Sequence, residues 1–190
     1  MYSKLNNMYD EVVRSIGTNH VRDEIIPAMV GAKEYVGNIN VMMEIGSYRG
    51  GNIPIYSVIV EDDGLVIVVD PEIQVPLEID VINDMIDPLE VHHIRRYSTE
   101  PGTYDDVVSI LDGRKVDFLM IGGDHREPIV RADWEIYRDL VASPGIVMFH
   151  DIRDRFQHGP QIVYSELCRN YVNRRYVADP MKLGIGAIYM

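Results

Sequence analysis

One cysteine, Cys168, stands among 190 residues. A single thiol cannot close an internal disulfide or build a cysteine-based zinc site, so a reducing compartment is expected, with the cytoplasm as default. Positive charge is scarce too: 18 Lys and Arg stand against 30 Asp and Glu, a formal net charge of −12. A surface that acidic repels phosphate backbones and anionic headgroups, so neither nucleic acid nor a membrane surface is expected as a partner. No apolar run approaches the roughly 20 residues of a membrane span. The opening Met1-Tyr2-Ser3-Lys4-Leu5-Asn6-Asn7 lacks a signal peptide's apolar stretch. Internal repeats, low-complexity tracts and Gly/Ser linkers are also missing, and one domain over residues 1–190 is expected.

What is present is an ordinary soluble composition, 46% hydrophobic and 25% charged, enough for a sizeable core. Four short, nearly unbroken apolar runs stand out: Val41 to Gly46, Leu65 to Asp70, Val116 to Ile121 and Gly145 to His150. Apolar runs without alternation suit strands of a parallel sheet covered on both faces. His92 to Tyr97 reads as a weaker strand and Gly184 to Met190 as the last one. Between them, Val130, Trp134, Tyr137 and Val141 form one stripe at helical spacing, and similar patterns cover Asn52 to Val60, Asp105 to Leu111 and Gln161 to Val172. Residues 1–37 form an N-terminal helical segment, with Arg22 to Tyr35 expected to pack over a pocket mouth. This alternation predicts an α/β, doubly wound, mostly parallel seven-stranded sheet with helices on both faces, binding ligands beyond the carboxyl ends of its strands.

The first strand runs into Glu44-Ile45-Gly46-Ser47-Tyr48-Arg49-Gly50-Gly51-Asn52. Glycines there let backbone approach a ligand, and the following helix start offers unpaired N–H groups. The spacing is neither the dinucleotide fingerprint nor a phosphate loop, and the bland reading is a tight strand-to-helix turn. Asp70, ending the next strand, is placed to accept both hydroxyls of a ribose, or else to cap a helix before Pro71. Met42, Met43 and Trp134 read as core, Cys168 as an unactivated thiol, His92, His93 and His158 as surface or strand residues, and Glu61-Asp62-Asp63 as a solvated turn. Tyr48-Arg49 could flank a ligand carboxylate.

Glu44-x-Gly46-x-x-x-Gly50 followed by Asp70-Pro71-Glu72 resembles the S-adenosylmethionine site of class I methyltransferases, a Rossmann-like family. The closer likeness is to the cephalosporin-hydroxylase-like and macrocin O-methyltransferase-like branch, through Gly122-Gly123-Asp124-His125 and His150-Asp151 after two later strands. The resemblance covers Val41 to the C-terminus. It implies that Gly46, Ser47, Tyr48 and Gly50 line the methionine end of S-adenosylmethionine, Glu44 supports that loop, Asp70 and Pro71 meet the ribose, and Ser98 lies beside the adenine. It also implies His125 as the base, assisted by Asp124 and Asp151, in O-methylation of a hydroxyl on a sugar or natural-product scaffold. Histidines titrate near neutral pH and suit that task; the bland alternative for His125 is a loop hydrogen bond.

Metal-dependent relatives carry an aspartate where this chain has Gly122 and an acidic pair where it has His150-Asp151. A magnesium ion on Asp124, Asp151 and His150 therefore lacks one expected ligand, and His150 suits a transition metal better. The bland reading of His150-Asp151 is a strand end before a capped loop. Two other functions compete: a catalytically degenerate nucleotide-binding module of the same fold, and a nicotinamide oxidoreductase, which lacks the fingerprint glycines. A homo-oligomer is expected, because nearly all residues go into the core fold and little is left to wall an acceptor site.

Overall fold

The computed structural model describes residues 1–71, 79–86, 88–154, 156–179 and 181–190. In chain order the elements are α1 (Tyr2–Ser15), α2 (Arg22–Val36), β1 (Ile39–Ile45), α3 (Ile53–Ser57), β2 (Val60–Val69), α4 (Ile79–Ile86), β3 (Glu90–Ile94), α5 (Thr103–Leu111), β4 (Val116–Ile121), α6 (Glu127–Tyr137), β5 (Val141–His150), α7 (Gly159–Leu167), β6 (Asn173–Tyr176) and β7 (Ile185–Tyr189). One sheet of seven strands has the order β3-β2-β1-β4-β5-β7-β6. Every neighbouring pair is parallel except those of β7, which runs antiparallel to β5 and β6.

The unbroken apolar runs have their reason in the two layers that cover them. Along β1, Met42 faces a core built with Leu5, Ile25, Ile53 and Ile82, while Met43 faces one built with Val107, Val130, Trp134 and Val163. Both methionines and Trp134 are buried core, in line with the sequence reading. Helices α1 to α4 thus cover one face and α5 to α7 the other, the doubly wound arrangement expected. Strand order reverses between β1 and β4, so the chain leaves their carboxyl ends in opposite directions and opens a crevice there.

Several boundaries differ from the sequence reading. Helix α6 starts before Val130, because Pro128 near its N-terminus already has a helical φ and needs no donor. It ends at Tyr137, and Val141 begins β5 rather than closing the helical stripe. The acidic Glu61-Asp62-Asp63 lies inside β2: Ile39 pairs with Val60 but Val41 with Leu65, so these residues loop out of register. The run stays largely solvated, as a bulge rather than a turn between elements. Strand β6 lies where no strand was read; its Asn173-Arg174-Arg175 is exposed on the sheet edge and carries no apolar pattern. Helix α7 ends at Leu167, short of the Val172 expected.

Candidate active site

The crevice at the strand ends holds a cavity of about 790 Å³, walled by Gly46, Tyr48, Asp70, Ser98, His125 and Asp151 among others. At the β1 end, Gly46 takes φ +81°, and a Cβ on it would come within 2.1 Å of the Gly123 Cα. Only glycine lets the β1 and β4 loops touch there and leaves bare backbone facing the cavity. Gly46 N–H donates to the Val69 carbonyl (2.9 Å) and Gly122 N–H to the Ile45 carbonyl (2.9 Å), tying the three strand ends together.

Asp70 braces the glycine turn: its Oδ2 accepts the N–H groups of Ser47 (2.7 Å) and Tyr48 (2.9 Å). Tyr48 sits at φ 54°, so this double anchor holds a backbone conformation that a non-glycine residue rarely adopts. Pro71 lines the cavity beside it; Glu72, the last residue of that motif, lies outside the described residues. Glu44 does not line the cavity. It is buried beneath the turn, where Ser47 Oγ donates to one of its oxygens and Asn52 Nδ2 to the other (3.5 Å). Burial pushes its pKa to about 7, against the pull of those two donors. Gly50 likewise closes the turn from inside, its N–H donating to the Ser47 carbonyl (2.8 Å), and is not part of the cavity wall.

Ser98 forms the opposite wall. Its hydroxyl donates to Asp133 Oδ1 at 2.5 Å, and its carbonyl accepts from the Tyr137 hydroxyl at 2.7 Å. Asp133 was not foreseen, yet a signal existed: position 133 falls on the same helical face as Val130, Trp134 and Tyr137, which is a poor place for an unneeded carboxylate.

The third group stands at the ends of β4 and β5. His125 Nδ1 lies 2.9 Å from Asp154 Oδ2, and its Nε2 lies 4.0 Å from Asp151 Oδ2. Burial raises the Asp154 pKa, but the Phe156 N–H and His125 pull harder and the net shift is downward. Asp154 is therefore a carboxylate that can only accept, so it holds a proton on Nδ1, and Nε2 is the ring nitrogen on the side of Asp151. Asp154 was missed because only the turn after β5 brings it back to the histidine.

His150 Nε2 lies 3.1 Å from Asp151 Oδ1. Burial, followed by the charge of His125, lowers the His150 pKa to about 3, so this ring is neutral. Asp151, at φ 56°, is pushed up by burial to about 6 although His125 pulls it down. Behind His150 stands a residue with no sequence signal, His20, from the loop between α1 and α2. Its buried ring meets His150 edge-on at 4.2 Å between centroids and is hydrogen-bonded through Nε2 to the Tyr56 hydroxyl. The N-terminal segment adds Asn19 to the cavity wall.

Asp124 reaches the cavity wall but is clasped by Arg126, whose Nε lies 2.8 Å from Oδ2 and 3.0 Å from Oδ1. That clasp holds its pKa below the usual carboxylate range. The side chains that could share a metal ion among the described residues are instead His125, His150 and Asp151, with ligand atoms within 4.8 Å of one another. A Cβ on Gly122 would stand 3.2 Å from the His150 Cβ, so an aspartate there would need the neighbouring strand end to give way slightly. Two imidazoles and one carboxylate do not fit magnesium, which takes hard oxygen ligands.

A family model described as a methyltransferase domain matches residues 43–152, from β1 through the β5 end. An uncharacterized protein of Acanthamoeba polyphaga mimivirus is 27% identical over 127 residues, 64% of this chain; the chain spans 55% of that relative's length. Among solved structures, CalS11, a TDP-rhamnose 3′-O-methyltransferase of calicheamicin biosynthesis, superposes with a TM-score of 0.68 at 12% identity, over 99% of this chain and 92% of that one. MycE, a methyltransferase of the mycinamycin pathway seen with Mg, SAH and mycinamycin VI, gives 0.67 at 13% identity, over 98% of this chain and 53% of that one. An O-methyltransferase from Bacillus cereus in complex with SAH gives 0.61 at 13% identity, over 99% and 91% of the two chains. Identities this low carry the fold alone.

Proposed function

Because the chain belongs to the methyltransferase domain family, we propose that it moves the methyl group of S-adenosylmethionine to a hydroxyl of a small molecule, on a sugar or natural-product scaffold. The observation that carries this reading is the Asp154-oriented His125, which lines the cavity with Asp151 and has its Nε2 4.0 Å from that carboxylate. The cavity fits the cofactor in volume, in the bare backbone at Gly46 and in the carboxylate at Asp70. Gly46 and Tyr48 would meet its amino-acid end, Asp70 and Pro71 its ribose, and Ser98 its adenine. Bound there, S-adenosylmethionine supplies a methyl group on a sulfonium that leaves as a neutral thioether.

The chain's own work is to align an acceptor oxygen and remove its proton, because a neutral hydroxyl is a weak nucleophile. His125 Nε2 takes that proton as the oxygen attacks, and the Asp154 carboxylate holds the ring and stabilises the imidazolium that forms. Asp151, beside Nε2, orients the acceptor. Asp124, bound to Arg126, shapes the wall without reaching the proton. His125→Ala lowers turnover on a hydroxyl acceptor by roughly 10²–10⁴-fold, the usual worth of a positioned base, while chelator leaves turnover intact. Full activity in His125→Ala removes the base, and no turnover on any hydroxyl library favours the degenerate binding module.

A second reading rests on the clustering of His125, His150 and Asp151. That set suits a divalent transition ion, and a ligating histidine that donates its other N–H to a carboxylate is a common metal arrangement. Activity lost to chelator and restored by zinc or manganese, but not by magnesium, would favour it. The soluble homo-oligomer expected from the sequence is tested by light scattering; the 21.7 kDa species alone at micromolar concentration opposes it.

A further inference from the structure

Asp133 is a costly residue with no packing purpose. It is fully buried among Val130, Trp134 and Tyr137 on the inner face of α6. Its Oδ1 has one donor, the Ser98 hydroxyl, and its Oδ2 has no hydrogen-bond partner among the described residues. Burial pushes its pKa to about 7, against the pull of Ser98, with the charge of Asp124 adding to the rise. A buried carboxylate satisfied at one oxygen destabilises a fold, and a leucine of similar size would pack there at no such cost.

The surroundings show what the carboxylate holds. The turn that forms this cavity wall is gripped from behind by three side chains: Thr103 Oγ1 donates to the Tyr97 carbonyl (2.9 Å), Tyr137 to the Ser98 carbonyl (2.7 Å), and Asp133 accepts the hydrogen bond of the Ser98 hydroxyl. A serine hydroxyl has one proton and two lone pairs. While Asp133 is ionised, that proton is turned back into the protein and only lone pairs remain for the cavity.

We propose that Asp133 is a positioning residue that makes the cavity select a base whose edge carries an amino hydrogen, because it leaves Ser98 able to meet the ring only as an acceptor. The inference rests on the reading that a nucleoside occupies this wall. An adenine 6-amino group donates to Ser98; the 6-oxo group of hypoxanthine at the same place sets an acceptor against an acceptor, and its N1–H lies one ring position away. Selection would thus be set by a residue that does not itself line the cavity.

The test is calorimetric titration of the full chain, above pH 8 where Asp133 is ionised, with S-adenosylhomocysteine and with its inosine counterpart, which differ at position 6 and in the hydrogen that hypoxanthine carries on N1. The unsubstituted protein binds the adenine compound at least about ten-fold more tightly. In Asp133→Leu the hydroxyl is released to turn and donate, and the preference falls below about three-fold. Should Asp133→Leu fail to fold, Ser98→Ala shows the same collapse, with a lower melting temperature because it leaves the buried Asp133 carboxylate without its donor. A merely structural role for Asp133 would move the melting temperature and leave the ratio alone. Equal affinities in the unsubstituted protein, or a full preference retained in either folded variant, overturn the inference. Failure of both compounds to bind the unsubstituted protein overturns the cofactor reading itself, and this inference with it.

Discussion

Removing the Asp70 carboxylate tests whether the glycine turn is built as a ligand clamp. Asp70→Ala deletes the oxygen that accepts the Ser47 and Tyr48 N–H groups at 2.7 and 2.9 Å. Hydrogen bonds to a charged group contribute about 1.5–3 kcal/mol each. Tyr48 is exposed but Ser47 is buried, so solvent recovers part of that loss at the Tyr48 N–H alone. A net cost near the value of one bond, about 1.5–3 kcal/mol, then appears in the melting temperature and again in ligand affinity. The first part shifts the melting temperature by roughly 2–4 °C per kcal/mol for a chain of this size. The second weakens S-adenosylhomocysteine binding by roughly ten-fold to a hundred-fold. Asp70→Asn keeps one carbonyl oxygen facing the turn and loses the charge, so its deficit is smaller in both measurements. The assays are thermal melting and calorimetry on the same three proteins. Wild-type affinity in Asp70→Ala would refute the clamp, and a lower melting temperature with unchanged affinity would confine Asp70 to the fold.

Other perturbations separate the remaining roles. Burial raises the Glu44 pKa from 4.5 to about 7, so its contribution to stability is fully present below pH 4.5 and is lost as pH rises through 7; that shift is worth roughly 3 kcal/mol, Glu44→Gln should flatten the fall in stability between pH 5 and 8, and an unchanged slope would show that Glu44 does not cause it. His150 has the opposite sign, its share being lost as pH falls from 6.5 towards about 3. Gly122→Asp brings a Cβ to 3.2 Å from the His150 Cβ and should cost about 1–3 kcal/mol in urea unfolding; because alanine keeps that Cβ, His150→Ala leaves the cost in place, and unchanged stability in Gly122→Asp would mean that the strand end yields freely. Asp154→Asn should cut kcat by about 10²–10⁴-fold at similar KM, and equal turnover would leave His125 without need of its partner.

Much of the fold is legible in the chain because it is written locally. Strands β1, β4 and the ends of β2 and β5 are buried on both faces, so each is a nearly unbroken apolar run. Strand β6 pairs only with β7 at the sheet edge, and its exposed arginines give no local sign of it. The extent of α6 was misread because Val141 keeps the helical spacing of the stripe although it opens β5.

The site divides in the same way. Gly46, Asp70, His125 and His150-Asp151 stand where strands end, and a strand end is visible wherever an apolar run stops. Their partners are not. Asp154 reaches His125 across 29 positions, and Asp133 reaches Ser98 across 35. His20 meets His150 only because α1 and α2 fold back over the sheet. The sequence alone determined the alternation of strands and helices and which chemical groups would gather at the strand ends. The tertiary structure alone decided which group holds which: that His150 stands against Gly122, that Arg126 takes Asp124 out of the cluster, and that two unforeseen carboxylates aim His125 and Ser98. Hydrogen bonds depend on distances of about 3 Å, and only the packing of the whole chain brings residues so far apart in sequence within that reach.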